Sequence, residues 1–168
     1  MFASGADPGP IAAAFAQVPE LCEAALPYFG SSLSAGSTGV RLKEIAILRT
    51  SALLECRYCV AAHTVVAIDT GLSLDEVQAL RGDLDPTTVF VEEGERSLLA
   101  WIAEVALGRG PVSAATSESM RVHYDDYEIV ELTNCIGVTM LLNRFCTALD
   151  LPTPPETAAR LVAEGFST

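Results

Sequence analysis

Two thiols and an imidazole lie close together in the first half of the chain. Within the segment EIAILRTSALLECRYCVAAH (residues 44–63), Cys56, Cys59 and His63 form the pattern C-x2-C-x3-H. On a helix, side chains with this spacing share one face. Two thiols at positions i and i+3 come close to the separation that a disulfide tolerates. An imidazole one turn beyond Cys59 is placed to exchange a proton with that thiol.

A CxxC pair is most reactive at the start of a helix, where unpaired N–H groups and the helix dipole favour thiolate over thiol. We expect Cys56, nearest the helix start, to be the more exposed sulfur, and Cys59, nearest His63, to lose its proton more easily. Glu44 lies twelve residues before Cys56, roughly 18 Å along one straight helix. It reaches the site only if the chain turns near Glu55, where no Gly or Pro forces a turn. Spacing alone therefore gives Glu44 no role.

Three interpretations of this segment stay open at this point. The first is a redox-active dithiol with His63 as proton carrier, which the cysteine spacing favours. The second is a zinc site of Cys56, Cys59 and His63. Such a site needs a fourth ligand, from Glu44 or the distant His123, and lacks the second close ligand pair usual in structural zinc sites. The third is a pair of buried core cysteines beside a hydrogen-bonded histidine.

The elements that position these side chains are predicted to be helices. Apolar residues recur at helical spacing nearly everywhere, and no convincing run alternates apolar and polar residues, so the predicted class is all-α. Capping boxes, S-x-x-E from Ser73 and D-x-x-E from Asp125, open two helices. The stretch 30–39, GSSLSAGSTG, is predicted as a loop, as are residues 82–88. Predicted helices cover residues 11–29 (divided at Pro19), 40–54, 60–68, 73–81, 92–107, 117–124, 126–149 and 156–164.

The composition limits the function classes. A chain of 168 residues suits one domain, with 1–168 as its extent, and 50% hydrophobic residues with 19% charged ones exclude a disordered chain. The mean hydropathy of +0.35 predicts apolar surface buried between subunits. A net charge of −12 makes nucleic acid and anionic membranes poor partners.

The start, MFASGADPGP, does not resemble a signal peptide. We found no run of about 18 uncharged apolar residues, so we expect a cytoplasmic protein with no membrane segment.

Five cysteines, an odd number, argue against a framework of structural disulfides. Cys22, Cys135 and Cys146 lie among apolar residues and are interpreted as small buried core side chains. Arg49 is interpreted as a salt-bridging residue and His123 as a surface or cap histidine. Trp101 is expected in the core or an interface, and Asn143 and Arg144 on a structural helix face.

The spacing E-x11-C-x2-C-x3-H, formed by Glu44, Cys56, Cys59 and His63, resembles the alkylhydroperoxidase D (AhpD) family. It is also similar to the CxxC-bearing branch of the broader carboxymuconolactone decarboxylase superfamily. Tyr58 within the CxxC pattern and the later stretch 142–149 resemble peroxidase-related members. The likeness is strongest over residues 40–80 and 125–154.

The resemblance implies an AhpD-like helical bundle, with a core at residues 40–154, that assembles as a homo-oligomer, a trimer or hexamer. It implies a redox-active disulfide between Cys56 and Cys59, with His63 and Glu44 in a proton relay. The implied activity is thiol-dependent peroxide reduction, with a peroxide substrate, an unidentified dithiol reductant and no metal or other cofactor. Two alternatives are a non-catalytic helical oligomer with a sensing or inert dithiol, and lactone decarboxylation of the carboxymuconolactone type.

The sequence departs from the AhpD pattern at two positions. AhpD has a histidine between its cysteines where this chain has Tyr58, so a relay role at that position is not carried over. Many relatives have a glycine before the first cysteine where this chain has Glu55. An adjacent carboxylate raises the pKa of a thiol, whereas the following Arg57 lowers it.

Overall fold

The computed structural model describes residues 9–167. This part of the chain forms α-helices and no strands, which confirms the predicted all-α class. The sequence also predicts that the first ten residues are frayed, and residues 1–8 of these lie outside the described residues. The helices are α1 (Gly9–Phe15), α2 (Pro19–Leu33), α3 (Gly39–Leu53), α4 (Arg57–Asp69), α5 (Leu74–Arg81), α6 (Pro86–Val89), α7 (Glu93–Leu107), α8 (Ala114–His123), α9 (Asp126–Ala148) and α10 (Pro155–Ala163).

Helix α3 is at the centre of the bundle and packs against α4, α7 and α9. Its side chains Ile45 and Leu48 are fully buried, as are Leu132 and Ile136 of α9. Burial of aliphatic side chains at this density is the main stabilising term of such a fold. Helices α3 and α9 therefore form the packed core that positions the candidate functional residues.

Both predicted capping boxes are present. Ser73 Oγ accepts the Glu76 N–H at 3.3 Å, and the Glu76 carboxylate accepts the Ser73 N–H at 2.8 Å. Asp125 and Glu128 make the same reciprocal pair at 2.9 and 3.0 Å. The N-terminal N–H groups of α5 and α9 are thus satisfied by side chains named from the sequence.

The largest differences from the predicted boundaries are at α2, α4, α6 and α8. Helix α4 begins at Arg57, three residues before the predicted start at residue 60. Helix α2 continues to Leu33 and so takes the first residues of the predicted loop 30–39, because Phe29 and Leu33 pack against other apolar side chains. A short helix, α6, lies within the predicted loop 82–88, where Asp85 caps it and Pro86 occupies its first position. Helix α8 begins at Ala114, three residues earlier than predicted, because Ser113 caps it.

Helix α9 is the one described helix that is long and apolar enough to cross a membrane by length and composition. The 18-residue window that passes this test is 44% buried, and the helix packs against α2, α3, α4 and α7. A central core helix passes the same test, so the signal is weak evidence for a membrane span.

Candidate active site

A sharp turn at Glu55 folds α4 back against α3. The Cys56 N–H donates to the Ser51 carbonyl at 3.0 Å, and the Glu55 N–H donates to the Ala52 carbonyl at 3.1 Å. These two bonds form the Schellman arrangement that ends many helices, in which the first residue after the cap is left-handed. Glu55 takes that conformation, with φ of 54°, although glycine usually occupies this position. The turn therefore forms without the Gly or Pro that the sequence analysis looked for.

The turn brings Glu44 of α3 next to His63 of α4. Glu44 Oε2 and His63 Nδ1 are 2.9 Å apart, with the carboxylate almost fully buried and 24% of the imidazole side chain exposed. A carboxylate on Nδ1 fixes the orientation of the ring and leaves Nε2 as the nitrogen that exchanges protons. Glu44, to which spacing alone gave no role, thus contacts the histidine of the CxxC motif.

Cys56 caps α4 and Cys59 lies in its first turn, as predicted for a CxxC pair at a helix start. A third sulfur joins them: Cys146, from the last turn of α9, has its Sγ within 4.8 Å of both other sulfurs. Cys146 is buried, as predicted, but it is part of this cluster of three sulfurs (the thiol cluster) rather than an ordinary core side chain. The sequence gave no signal for this contact, because Cys146 lies far along the chain and is brought in by the packing of α9 against α4.

The thiol cluster is buried, and its sulfurs are not equivalent. Cys56 is 1% exposed and Cys59 is 5% exposed, so the expectation that Cys56 is the more exposed sulfur was wrong. Hydrogen bonds donated by the Cys146 and Cys59 thiols hold the pKa of Cys56 far below its usual range. The neighbouring Cys146 and Cys56 sulfurs, together with burial, raise the pKa of Cys59. These directions favour the thiolate on Cys56 and oppose the expectation that Cys59 loses its proton more easily.

The zinc ligands considered from the sequence do not form one cluster, although Cys56 and Cys59 are neighbours. Nδ1 of His63 contacts Glu44, and His123 is exposed at the end of α8, where it lines a different cavity. Among the described residues, the cluster of potential ligand atoms consists of the three sulfurs alone.

Two cavities meet the thiol cluster from different sides. The smaller, of about 140 Å³, is lined by Cys59 and His63 and by apolar side chains that include Leu33 and Leu142. The larger, of about 450 Å³, is lined by Cys56 and Cys146. Cys59 thus lines the same cavity as His63, whereas Cys56 and Cys146 line the larger cavity.

Asn143 of α9 lines the smaller cavity and is fully buried. Its Oδ1 accepts a hydrogen bond from Ser51 Oγ at 3.1 Å, but its Nδ2 has no partner among the described residues. A buried amide donor without a partner is costly and uncommon in native structures. Asn143 therefore offers the cavity a hydrogen-bond donor, beyond the structural helix-face role that the sequence analysis assigned to it.

The other residues singled out from the sequence lie outside the site. Arg49 donates to the Ala79 and Leu80 carbonyls at the end of α5, at 3.5 and 3.3 Å, and forms no salt bridge with the described residues, contrary to the prediction. Arg144 is exposed. Half-buried Trp101 donates to Thr133 Oγ1 at 3.0 Å and packs against the main core, as expected.

The model of the carboxymuconolactone decarboxylase family matches residues 19–90, a segment that contains Glu44, Cys56, Cys59 and His63. Among curated protein sequences, none matches the chain.

Several solved structures share the fold. A protein of unknown function from Agrobacterium tumefaciens, provisionally assigned to AhpD antioxidant defence, is 24% identical with a TM-score of 0.76, over 84% of this chain and 95% of that chain. An uncharacterized peroxidase-related protein from Silicibacter sp. TM1040 is 19% identical with a TM-score of 0.79, over 88% of this chain and 77% of that one.

A third structure, of a variant of the debrominase Bmp8 in complex with 2,3,4-tribromopyrrole, is 19% identical with a TM-score of 0.68, over 90% of this chain and 80% of that one. Identities this low show the fold alone, and the three proteins differ in what they are named for. The chain therefore has the AhpD-like helical fold, and its residues 19–90 match the model of the carboxymuconolactone decarboxylase family.

Proposed function

We propose that this protein is a thiol-dependent peroxide reductase of the antioxidant type, in which Cys56 and Cys59 form a redox-active disulfide. The observation that carries the proposal is the contact of Glu44 with His63 at 2.9 Å, beside a CxxC pair at the start of a helix. The cycle uses protein sulfurs as its redox carrier and needs no metal or flavin. A carboxylate–imidazole pair and an acidic thiol together provide both the proton and the electrons that peroxide reduction consumes.

The smaller cavity is proposed as the peroxide site. It is mostly apolar, and its volume of about 140 Å³ suits hydrogen peroxide or a small alkyl hydroperoxide. The unpaired Nδ2 of Asn143 donates a hydrogen bond to a peroxide oxygen, and His63 lines the same cavity. The substrate thus lies between a fixed donor and the proton carrier.

In the first step Cys59 passes its proton to the Cys56 thiolate, an unfavourable transfer because the pKa of Cys59 is raised and that of Cys56 is lowered, and the cluster keeps one negative charge. The Cys59 thiolate then attacks the peroxide oxygen, the O–O bond breaks, and Cys59 becomes a sulfenic acid. The leaving alkoxide takes a proton from the His63 imidazolium, whose charge the buried Glu44 carboxylate stabilises. The products of this step are an alcohol and a neutral imidazole.

In the second step the Cys56 thiol attacks the sulfur of the Cys59 sulfenic acid. The S–O bond breaks, water leaves, and the Cys56–Cys59 disulfide forms. An external dithiol then reduces this disulfide by two successive thiol exchanges and is itself oxidised to a disulfide. The larger cavity, on the Cys56 side, is the proposed approach for that reductant.

The test is peroxide consumption with dithiothreitol as reductant. Removal of a proton carrier costs about 100-fold or more in rate, so we expect that loss for His63→Ala and a near-complete loss for Cys56→Ser and Cys59→Ser. Glu44→Gln keeps an oxygen acceptor but lacks the charge, so we expect a loss of about tenfold. The matched control is His123→Ala, because His123 is the other histidine of the chain and is exposed away from the cluster.

If both serine variants consume peroxide at the rate of the unaltered protein, the proposal is wrong. If Cys56 and Cys59 both titrate near the ordinary thiol pKa of about 8.5, the non-catalytic dithiol becomes the better interpretation. Equal losses in His63→Ala and His123→Ala would mean that the effect comes from the fold and not from the relay.

Assembly as a homo-oligomer is proposed as well. Large apolar side chains are strongly exposed near the α8–α9 junction, at Val122, Tyr127 and Val130. Apolar surface of this kind is usually covered in an assembly. Light scattering coupled to size exclusion tests this proposal, and a monomer at micromolar concentration would contradict it.

A further inference from the structure

Cys146 is the one member of the thiol cluster for which the proposed cycle has no use. Its sulfur lies within 4.8 Å of the sulfurs of both Cys56 and Cys59, and it is buried. The residue is held in place by a turn at the end of α9, where the Leu151 N–H donates to the Cys146 carbonyl at 3.0 Å and Asp150 is left-handed with φ of 47°. The third sulfur is therefore fixed beside the CxxC pair by a structured helix end.

The two cavities divide the three sulfurs unequally. Cys59 lines the smaller cavity with His63, whereas Cys56 and Cys146 line the larger one. A disulfide between Cys56 and Cys59 presents one of its sulfurs to the larger cavity. A disulfide between Cys56 and Cys146 joins the two cysteines that line the larger cavity and leaves Cys59, which lines the smaller cavity with His63, as a free thiol.

We propose that Cys146 is a third redox thiol, which takes the disulfide over from Cys59 to give a Cys56–Cys146 disulfide facing the larger cavity. This inference rests on the proposed function, since peroxide reduction supplies the Cys56–Cys59 disulfide. The exchange moves the oxidised pair from the peroxide side of the cluster to the side that an external dithiol reaches. The exchange thereby returns Cys59 to the thiol form, which can react with the next peroxide.

The exchange balances without any added reactant. The Cys146 sulfur attacks Cys56, a Cys146–Cys56 bond forms, and the Cys56–Cys59 bond breaks. The proton that Cys146 loses goes to the leaving Cys59 sulfur, so one disulfide and one thiol are present before and after. The external dithiol then reduces the Cys56–Cys146 disulfide by two thiol exchanges and leaves as a disulfide, returning all three thiols.

A metal site at the same three sulfurs is the competing explanation. Zinc sites of this kind have a fourth ligand, from the protein or from water. Among the described residues, no fourth histidine, cysteine or carboxylate ligand atom joins the cluster. The division of the sulfurs between two cavities favours exchange over metal binding, and the experiment below separates the two.

The experiment maps disulfides by mass spectrometry of the full chain after acid quenching, alkylation and digestion without reduction. The reduced protein receives one equivalent of hydrogen peroxide and is quenched over time. We expect the Cys56–Cys59 disulfide first and the Cys56–Cys146 disulfide as the first declines. A Cys59→Ser variant oxidised with diamide tests the second pairing without relying on peroxide.

In Cys59→Ser we expect the Cys56–Cys146 disulfide to exceed any disulfide of Cys22 or Cys135 by about tenfold or more, because the paired sulfurs are neighbours. The two remote cysteines are internal controls.

Three results would overturn the inference. If diamide leaves Cys56 and Cys146 free in Cys59→Ser while the unaltered protein forms Cys56–Cys59 with peroxide, the relay fails and the proposed function stands. If peroxide forms no Cys56–Cys59 disulfide in the unaltered protein, the proposed function fails and takes the relay with it. If one equivalent of zinc binds, depends on Cys146 and protects the cluster from diamide, the sulfurs form a metal site.

Discussion

Replacement of Glu55 by glycine should stabilise the protein, although Glu55 lines the larger cavity. Glu55 is exposed and has φ of 54°, and its side chain makes no hydrogen bond or ion pair with the described residues. The substitution therefore removes no described polar contact and acts on the backbone. Glycine populates the left-handed region without the steric conflict that a Cβ atom introduces there.

The size of the effect follows from two opposing terms. A left-handed conformation costs a residue with a Cβ atom about 1–2 kcal/mol. Glycine makes the unfolded chain more flexible, which removes about 0.4–1 kcal/mol of the gain. The free energy of unfolding of Glu55→Gly should therefore rise by about 0.5–1 kcal/mol. For a chain of this size, that corresponds to an increase in Tm of about 1–4 °C.

The assay is urea and thermal unfolding of the reduced protein, followed by circular dichroism at one fixed protein concentration. Glu55→Ala is the matched control, because it removes the carboxylate but keeps the Cβ atom and its strain. Ala52→Gly, inside α3, should lower stability by about 1 kcal/mol. A fall in stability for Glu55→Gly, or an equal gain for Glu55→Ala, would refute the backbone explanation.

Three further predictions concern single side chains. Because hydrogen bonds hold the pKa of Cys56 low, its thiolate persists as the pH falls below the ordinary thiol pKa. As the pH is lowered, the rate at which iodoacetamide alkylates Cys56 should therefore fall much less than the tenfold per pH unit expected of an ordinary thiol. A tenfold fall in this rate per pH unit would contradict the assignment. Asn143→Leu should lower kcat/KM for peroxide about tenfold, the value of one hydrogen bond to substrate, and an unchanged kcat/KM would remove Asn143 from the peroxide site. Glu131→Ala leaves the buried ammonium of Lys43 without its carboxylate at 2.9 Å. The free energy of unfolding in urea should therefore fall by about 3 kcal/mol. A loss below about 1 kcal/mol would mean that the pair is well solvated.

Much of the fold could be predicted from the sequence because its signals are local. Apolar periodicity identified the helices, and the boxes at Ser73 and Asp125 fixed two helix starts to the residue. The errors lie where tertiary packing decides, as in the extension of α2 to Leu33. A loop composition such as GSSLSAGSTG does not prevent another helical turn when apolar side chains before it are buried.

The candidate site was only partly predictable. The CxxC motif and His63 share one helix, so their spacing was sufficient. Glu44 required a turn whose left-handed residue is Glu55, and no rule of turn composition marks a glutamate there. Cys146 required the packing of α9 against α4, a contact between distant segments for which the single sequence holds no periodic signal.

The thiol cluster contains an odd number of sulfurs, and this limits how they can pair. One disulfide consumes two of them, so an odd sulfur is left over in every fully paired state of the cluster. In a monomer in which these sulfurs pair only with one another, one sulfur therefore always stays free to act as a nucleophile, whichever pair is joined. Further oxidation then either converts the remaining thiol to a sulfenic or higher acid or joins it to another molecule through a disulfide.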